Sequence, residues 1–222
     1  MKIIALPDLH GGTEYLRKIG DDLSAVDLVL LVGDLTNAGS AADAAQVVDG
    51  VRQYNSRVLA VPGNWDGSEI STYLSLEGIS LHRRSMVVDR IRFLGVGASL
   101  PSPAAAPNEI TESDFESFLK EASSGVERSL TQILVCHQPP IQTQCDRSWT
   151  DMHLGSRAVR AFIEATQPVI CFTGHIHEGV GVDRIGNTQV VNPGPLWQGG
   201  YAYAEIDSRV VAVEIRHCTE IA

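Results

Sequence analysis

Four of the seven histidines in this 222-residue chain sit just behind short apolar runs, in the company of carboxylates and one amide. Ile3 to Leu6 leads into Pro7-Asp8-Leu9-His10, and Leu28 to Val32 into Gly33-Asp34. Val58 to Val61 leads into Pro62-Gly63-Asn64-Trp65-Asp66, and Ile133 to Cys136 into His137-Gln138-Pro139-Pro140. Val169 to Thr173 leads into Gly174-His175-Ile176-His177. Imidazoles, carboxylates and one amide oxygen form a borderline-hard donor set. It suits Mn²⁺, Fe²⁺, Zn²⁺ or Co²⁺ better than Cu(I), and it is too rich in nitrogen for Ca²⁺. Asp8 and His10 share a face if extended geometry continues through them, as do His175 and His177. A bend at either pair would instead let its members serve two adjacent ions.

These side chains can meet only if the elements carrying them bring them together. The apolar runs read as short buried strands. Between the first three lie amphipathic stretches. Tyr15, Leu16 and Ile19 follow Gly11-Gly12, while Ala44, Val47, Val48 and Val51 follow Ser40, an N-cap with Asp43 three residues on. Such β-α-β-α-β order predicts a parallel sheet with crossover helices, and ligands bind beyond the carboxyl ends of its strands.

Further along, Met86 to Val88 and Ile91 to Val96 suggest a hairpin turning at Asp89-Arg90. Thr111 caps a helix that buries Phe115, Phe118, Leu119 and Ala122. Ser156 caps another, burying Val159, Phe162 and Ile163 and ending before Pro168. Val180 to Ile185 and Thr188 to Val191 flank the turn signal Gly186-Asn187. Tyr201 to Ile206 and Val210 to Ile215 flank Asp207-Ser208. With no repeat or linker visible, residues 1–222 read as one α/β domain with two packed sheets.

Composition narrows the partners. Seventeen Lys and Arg against 27 Asp and Glu give a net charge of −10, with a pI near 5.1. No basic excess exists to drive counterion release, so stable nucleic-acid binding and an anionic membrane surface are not expected. The opening apolar run stops at Pro7-Asp8, too short for a signal peptide core, and no run is long enough to span a bilayer. Cys136, Cys145, Cys171 and Cys218 form no C-x-x-C pair and read as reduced, mostly buried thiols. A cytoplasmic location is the resulting expectation; monomer and homo-oligomer are both compatible with the chain.

The ordered set Asp8-Leu9-His10, Gly33-Asp34, Gly63-Asn64-Trp65-Asp66, His137 and Gly174-His175-Ile176-His177 resembles the signature of calcineurin-like metallophosphoesterases. Within that family it is most similar to small single-domain prokaryotic enzymes related to Icc-type phosphodiesterases. The stretch from His153-Leu154-Gly155-Ser156 through Gln167-Pro168, and Asn192-Pro193-Gly194-Pro195, fits that placement. The resemblance implies a four-layer αββα sandwich with two mixed β-sheets flanked by helices. It also implies two divalent ions, Mn²⁺ foremost, with Fe²⁺, Zn²⁺, Co²⁺ or Ni²⁺ as alternatives. One ion would take Asp8, His10 and His177, the other Asn64, His137 and His175, with Asp34 bridging. The implied reaction is attack of a metal-bound hydroxide on a small, nucleotide-like phosphodiester or phosphomonoester.

One position departs from the family pattern. A histidine that serves there as proton donor to the leaving group is Trp65 in this chain, whose indole N–H does not titrate usefully. His153 is the candidate replacement, set against the reading of a loop histidine that fixes a helix entry. Asp66 is a second candidate at the reacting centre, set against a role orienting its surroundings by hydrogen bonding. Asn64 and Trp65 are candidate substrate contacts, with Trp197 as a further apolar wall. His82 and His217 read as structural or surface residues. Because Trp65 removes a catalytic group, a catalytically weak protein-interaction scaffold stands as the alternative function.

Overall fold

The chain begins in the middle of its first sheet. In the computed structural model, which describes residues 1–125 and 130–218, β1 (Lys2–Leu6) is buried in all but its first residue. It pairs in parallel with β2 (Leu28–Val32), which pairs in parallel with β3 (Val58–Val61). On its other side β1 runs antiparallel to β10 (Gly200–Asp207), itself paired with β11 (Arg209–His217). The strand order is β11-β10-β1-β2-β3.

The second sheet contains β4 (Arg84–Val88), β5 (Ile91–Val96), β6 (Thr131–Cys136), β7 (Ile170–Phe172), β8 (Gly181–Ile185) and β9 (Thr188–Asn192). Their order is β4-β5-β6-β7-β9-β8; the inner four are parallel and the edges antiparallel.

Three buried clusters separate four layers. On the outer face of the first sheet, α1 (Glu14–Lys18), α2 (Gly20–Ser24), α3 (Ala41–Arg52) and α4 (Ser68–Leu76) set Leu16, Leu23, Val47 and Ile70 against Ile4, Val29 and Leu31. Between the sheets, Ile3, Leu28 and Leu30 meet Phe93, Ile133 and Phe172. Outside the second sheet, α5 (Glu112–Ser123) and α6 (Arg157–Thr166) set Phe115, Leu119 and Ile163 against Leu94, Leu134 and Val190. Strands covered on both faces must be apolar at every position, which is why their runs are continuous rather than alternating. Each fully buried aliphatic side chain contributes about 1.5–3 kcal/mol.

The expected αββα architecture is therefore present. The capping boxes at Ser40 and Thr111 both form, with Asp43 and Asp114 returning the bond. The Glu112 carboxylate of α5 accepts from the Arg157 and Ala158 amides, satisfying two orphan donors at the start of α6. Asp89 and Arg90 both take positive φ, the geometry of a tight hairpin turn. Two local details differ from expectation. The helix around Tyr15 breaks into α1 and α2 at Ile19, and α4 has no counterpart among the expected elements. Its Gly67 N-cap offers no side-chain acceptor, and its Ser- and Thr-rich sequence has weak helix propensity, so packing of Ile70 and Leu74 holds it. Among the described residues no helix is long and apolar enough to cross a membrane.

His82 ties the second sheet to its helices. Its Nδ1 accepts the Gly97 amide at 2.9 Å, and its ring meets Phe118 edge-on. Burial, reinforced by the charges of Arg83 and Arg84 and opposed by Glu121, lowers its pKa from 6.5 to about 4. The unfolded chain therefore binds the proton more readily than the folded one between those values. His82 stabilises fully above pH 6.5, and this contribution is lost as pH falls toward 4. His82→Asn keeps an acceptor for Gly97 and should flatten the acid slope. In urea unfolding at pH 7.5 and 5, the wild type should lose up to about 2 kcal/mol more than the variant. Parallel slopes would exclude His82 as the source.

Candidate metal centre

The parallel strands β1, β2, β3, β6 and β7 all deliver their carboxyl ends to one edge of the sandwich. Backbone bonds lash the following loops together: Asp8 N–H donates to Gly33 O, His10 N–H to Asp34 O, and Gly174 N–H to His137 O. Extended geometry does not continue into these segments. Asp8, His10, Asp34 and His175 have φ of 51°, 48°, 49° and 66°, in the left-handed region. Of the two geometries open at Asp8 and His10, the bend is therefore the one present. Turns, rather than pleats, aim these side chains, and such strained backbone persists only where its surroundings over-determine it.

Two overlapping groups of donors result. Ligand atoms of Asp8, His10 and His177 lie within 4.8 Å of one another, as do those of Asp8, Asp34 and His137. His177 Nε2 is 3.5 Å from Asp8 Oδ1. Asp34 Oδ2 lies 3.8 Å from His10 Nε2 and 3.4 Å from His137 Nε2, between the two groups. His137 Nε2 is 2.9 Å from Asn64 Oδ1, and the His175 ring centroid is 5.3 Å from that of His137. The His175 amide donates to the Asp8 carboxylate. All seven residues singled out as metal ligands therefore surround one site.

The donor chemistry fits a cation. His137 Nδ1–H donates to Val32 O at 2.8 Å, which turns the Nε2 lone pair toward Asn64 Oδ1 and the Asp34 carboxylate. Three acceptors converging in a buried space repel one another unless a proton or metal ion lies among them. Burial by itself would lower the His137 pKa, but Asp34, Asp8 and the Val32 carbonyl outweigh it and raise it to about 9. Burial likewise opposes ionisation of Asp34, yet His137 and the Trp65 amide hold its carboxyl below the ordinary range. His175 is lowered to about 4 by burial and by His137, so its imidazole is neutral and able to bind metal.

Asp66 sits behind this cluster. It is wholly buried, with Oδ2 accepting the Leu35 and Gly63 amides and Oδ1 accepting the Thr36 amide and hydroxyl. It joins the loop carrying Asp34 to the loop carrying Asn64, and its oxygens are committed to those donors. Two glycines make the approach possible. A Cβ on Gly63 would lie 2.0 Å from Asp34 Oδ1, and one on Gly33, at φ +90°, would lie 2.3 Å from His137 Nδ1.

Trp65 donates its amide to Asp34 Oδ1 and is half-buried. Trp197 is 39% exposed and meets the His177 ring edge-on at 5.9 Å. In the stretch from Asn192, Gly194 N–H donates to Asn192 Oδ1 and Leu196 N–H to Pro7 O. Asn192 has a different part: its Nδ2 donates to Cys145 O and Ile176 O, pinning the His175–His177 turn. His153 lies on a neighbouring loop, with Nδ1 2.7 Å from Asp146 Oδ1. Asp146 leaves no mark in the sequence, because a single polar residue next to a turn carries no periodic signal. Cys136 is fully buried and burial drives its thiol pKa far up, so it is inert beside His137.

A model of the calcineurin-like phosphoesterase superfamily domain matches residues 1–209, and the chain belongs to that superfamily. It is 35% identical over 200 residues to protein MJ1162 of Methanocaldococcus jannaschii, a match covering 88% of each chain. It is 25% identical over 175 residues to the 3′,5′-cyclic adenosine monophosphate phosphodiesterase CpdA of Escherichia coli, across 75% of this chain and 60% of that one. In fold it is similar to the crystal structure of TT1561 of Thermus thermophilus. That match has a TM-score of 0.75 at 20% identity, over 98% of this chain and 99% of the other. The purple acid phosphatase PPD1 of yellow lupin shares the fold at a TM-score of 0.63 and 11% identity, over 99% of this chain and 52% of that one.

Proposed function

We propose that this protein is a dinuclear metal-dependent phosphoesterase hydrolysing a small, nucleotide-like ester, with diesters preferred over monoesters. The observation that carries this reading is the convergence of Asp8, His10, Asp34, Asn64, His137, His175 and His177 at one sheet edge, with a buried pocket of acceptors that calls for cations. Two divalent ions, Mn²⁺ foremost, would supply Lewis acidity toward the phosphoryl oxygens and toward an attacking water. Asp8, His10 and His177 would hold one ion and Asn64, His137 and His175 the other, with Asp34 contributing to both. The Val32 carbonyl keeps His137 in the tautomer that offers Nε2. Asn64 and Trp65 border the substrate, Trp197 extends its apolar wall, and Asp66 positions the two loops rather than moving protons. The similarity to CpdA supports a diester. Four free thiols, three of them buried, suit the cytoplasm. A negative overall charge does not oppose a small phosphate ester, because two dications outweigh the two buried carboxylates at the site.

Hydrolysis of bis-p-nitrophenyl phosphate and p-nitrophenyl phosphate after loading with Mn²⁺, Ni²⁺, Co²⁺ or Fe²⁺ tests this reading, alongside elemental analysis. The expected result is metal-dependent cleavage of the diester in preference to the monoester, with two ions per chain. No cleavage with any of these metals would favour the scaffold function.

A further inference from the structure

We infer that Asp146 and His153 form a proton-donating pair at the rim of the metal centre, His153 as donor to the departing ester oxygen and Asp146 as its positioning residue. This rests on the phosphoesterase reading above. The pair sits on the loop between β6 and α6, and that loop is fastened beside the site at two points. Gln138, the residue after His137, donates its Nε2 to Leu154 O, the residue after His153. Glu178, the residue after His177, accepts the Trp149 amide. Asn192 adds a third tie, joining Cys145 O to Ile176 O. The loop carrying His153 is thus tied to Gln138 and Glu178, each of which directly follows one of the cluster's histidines.

Asp146 is built to orient it. The carboxylate is wholly buried and accepts the Gln142, Thr143 and Gly155 amides, which fix its plane. Its remaining partners are the Thr143 hydroxyl, at 3.5 Å, and His153 Nδ1, at 2.7 Å. A carboxylate there makes Nδ1 the N–H donor and directs Nε2 away from Asp146. The His153 side chain is 32% exposed, so Nε2 can exchange protons with solvent. The other charged groups on or against this loop are each engaged elsewhere: Arg147 pairs with Asp151, Glu178 holds the Trp149 amide, Asp183 the Gln144 amide and Glu112 the Ser156 hydroxyl, while Arg160 donates to the Ile141 and Gln142 carbonyls. In the reaction, a water oxygen bonds to phosphorus as the bond from phosphorus to the departing oxygen breaks. The Nε2 proton of the imidazolium passes to that oxygen, releasing an alcohol. The proton lost by the water goes to solvent, from which His153 is reloaded. The pair thereby fills the gap left by the non-titrating Trp65.

The test compares bis-p-nitrophenyl phosphate, whose leaving group needs little protonation, with diphenyl phosphate, whose leaving group needs more. His153→Gln and Asp146→Asn should each lower kcat on diphenyl phosphate by roughly 10²-fold, and on the nitrophenyl ester by less than about 5-fold. Metal content should stay at the wild-type level in both. Nitrogen-15 spectra of the metal-free protein give a readout independent of turnover: the neutral His153 ring should carry its proton on Nδ1, and Asp146→Asn should shift that proton toward Nε2. Should Asp146→Asn fail to fold, His153→Gln, which loses a single hydrogen bond, carries the kinetic comparison. Equal losses on the two esters, or an unmoved tautomer, would overturn the pair. Failure of the wild type on both esters would instead overturn the phosphoesterase reading.

Discussion

Asp34→Asn should fold normally, bind both metal ions more weakly, and lose at least about 10³-fold in turnover. The substitution is nearly isosteric, and Asn Oδ1 can still accept the Trp65 amide, so the loop keeps its shape. What disappears is the carboxylate charge 3.8 Å from His10 and 3.4 Å from His137, the two imidazoles that the proposed function gives to different ions. Changing an outer partner of a metal ligand already costs about 10–100-fold in affinity, and a bridging ligand must cost more. Several kcal/mol of lost transition-state stabilisation corresponds to roughly 10³-fold in rate. Elemental analysis and titration with Mn²⁺ read the metal loss directly; depletion of one ion with the other untouched would contradict the bridging assignment. The metal-free protein offers an independent check. With Asp34 neutral, His137 loses its largest source of upward shift and should titrate well below about 9.

Asp66→Ala should be among the most damaging single changes to stability outside the hydrophobic core. It removes the acceptor for the buried Leu35, Thr36 and Gly63 amides and for the Thr36 hydroxyl. An unsatisfied buried donor costs about 1–3 kcal/mol, so a total near 3–5 kcal/mol follows, since some donors find water in the space vacated. For a chain of this size, that amounts to a fall in Tm of about 10 °C. One opposing effect is visible. Burial and the nearby Asp34 charge raise the Asp66 pKa, so its ionised form carries a cost at neutral pH that alanine removes. The three amide bonds act against that cost. Asp66→Asn is expected to be intermediate, because its NH₂ must face either the Leu35 and Gly63 amides or the Thr36 pair. Thermal unfolding and Mn²⁺ titration should change together, since the carboxylate links the Asp34 and Asn64 loops. A Tm within about 2 °C of wild type would show that the loops do not depend on it.

Much of the architecture was legible because it rests on local physics. Continuous apolar runs such as Leu28 to Val32 announce strands buried on both faces, and Ser40 and Thr111 announce helix starts through reciprocal side-chain bonds. The element without such a mark, α4, was invisible because tertiary packing supplies its stability. The same contrast divides the site. Residue type and order at the strand ends identified the donor set, since few other roles demand so many imidazoles and carboxylates directly after apolar strands.

By itself, then, the sequence determined which residues form the polar cluster, which elements carry them, and that Trp65 cannot donate a proton. Only the tertiary structure decided how they face one another. Four left-handed residues aim the ligands where pleat alternation would not, the Val32 carbonyl selects the His137 tautomer, and Asp66 and Asn192 pin loops far apart in the chain. Those features depend on long-range contacts between loops, for which no local pattern exists. The pairing of Asp146 with His153 belongs with them: two polar residues seven apart in a loop mean little until the fold ties that loop to Gln138 and Glu178, the residues after His137 and His177.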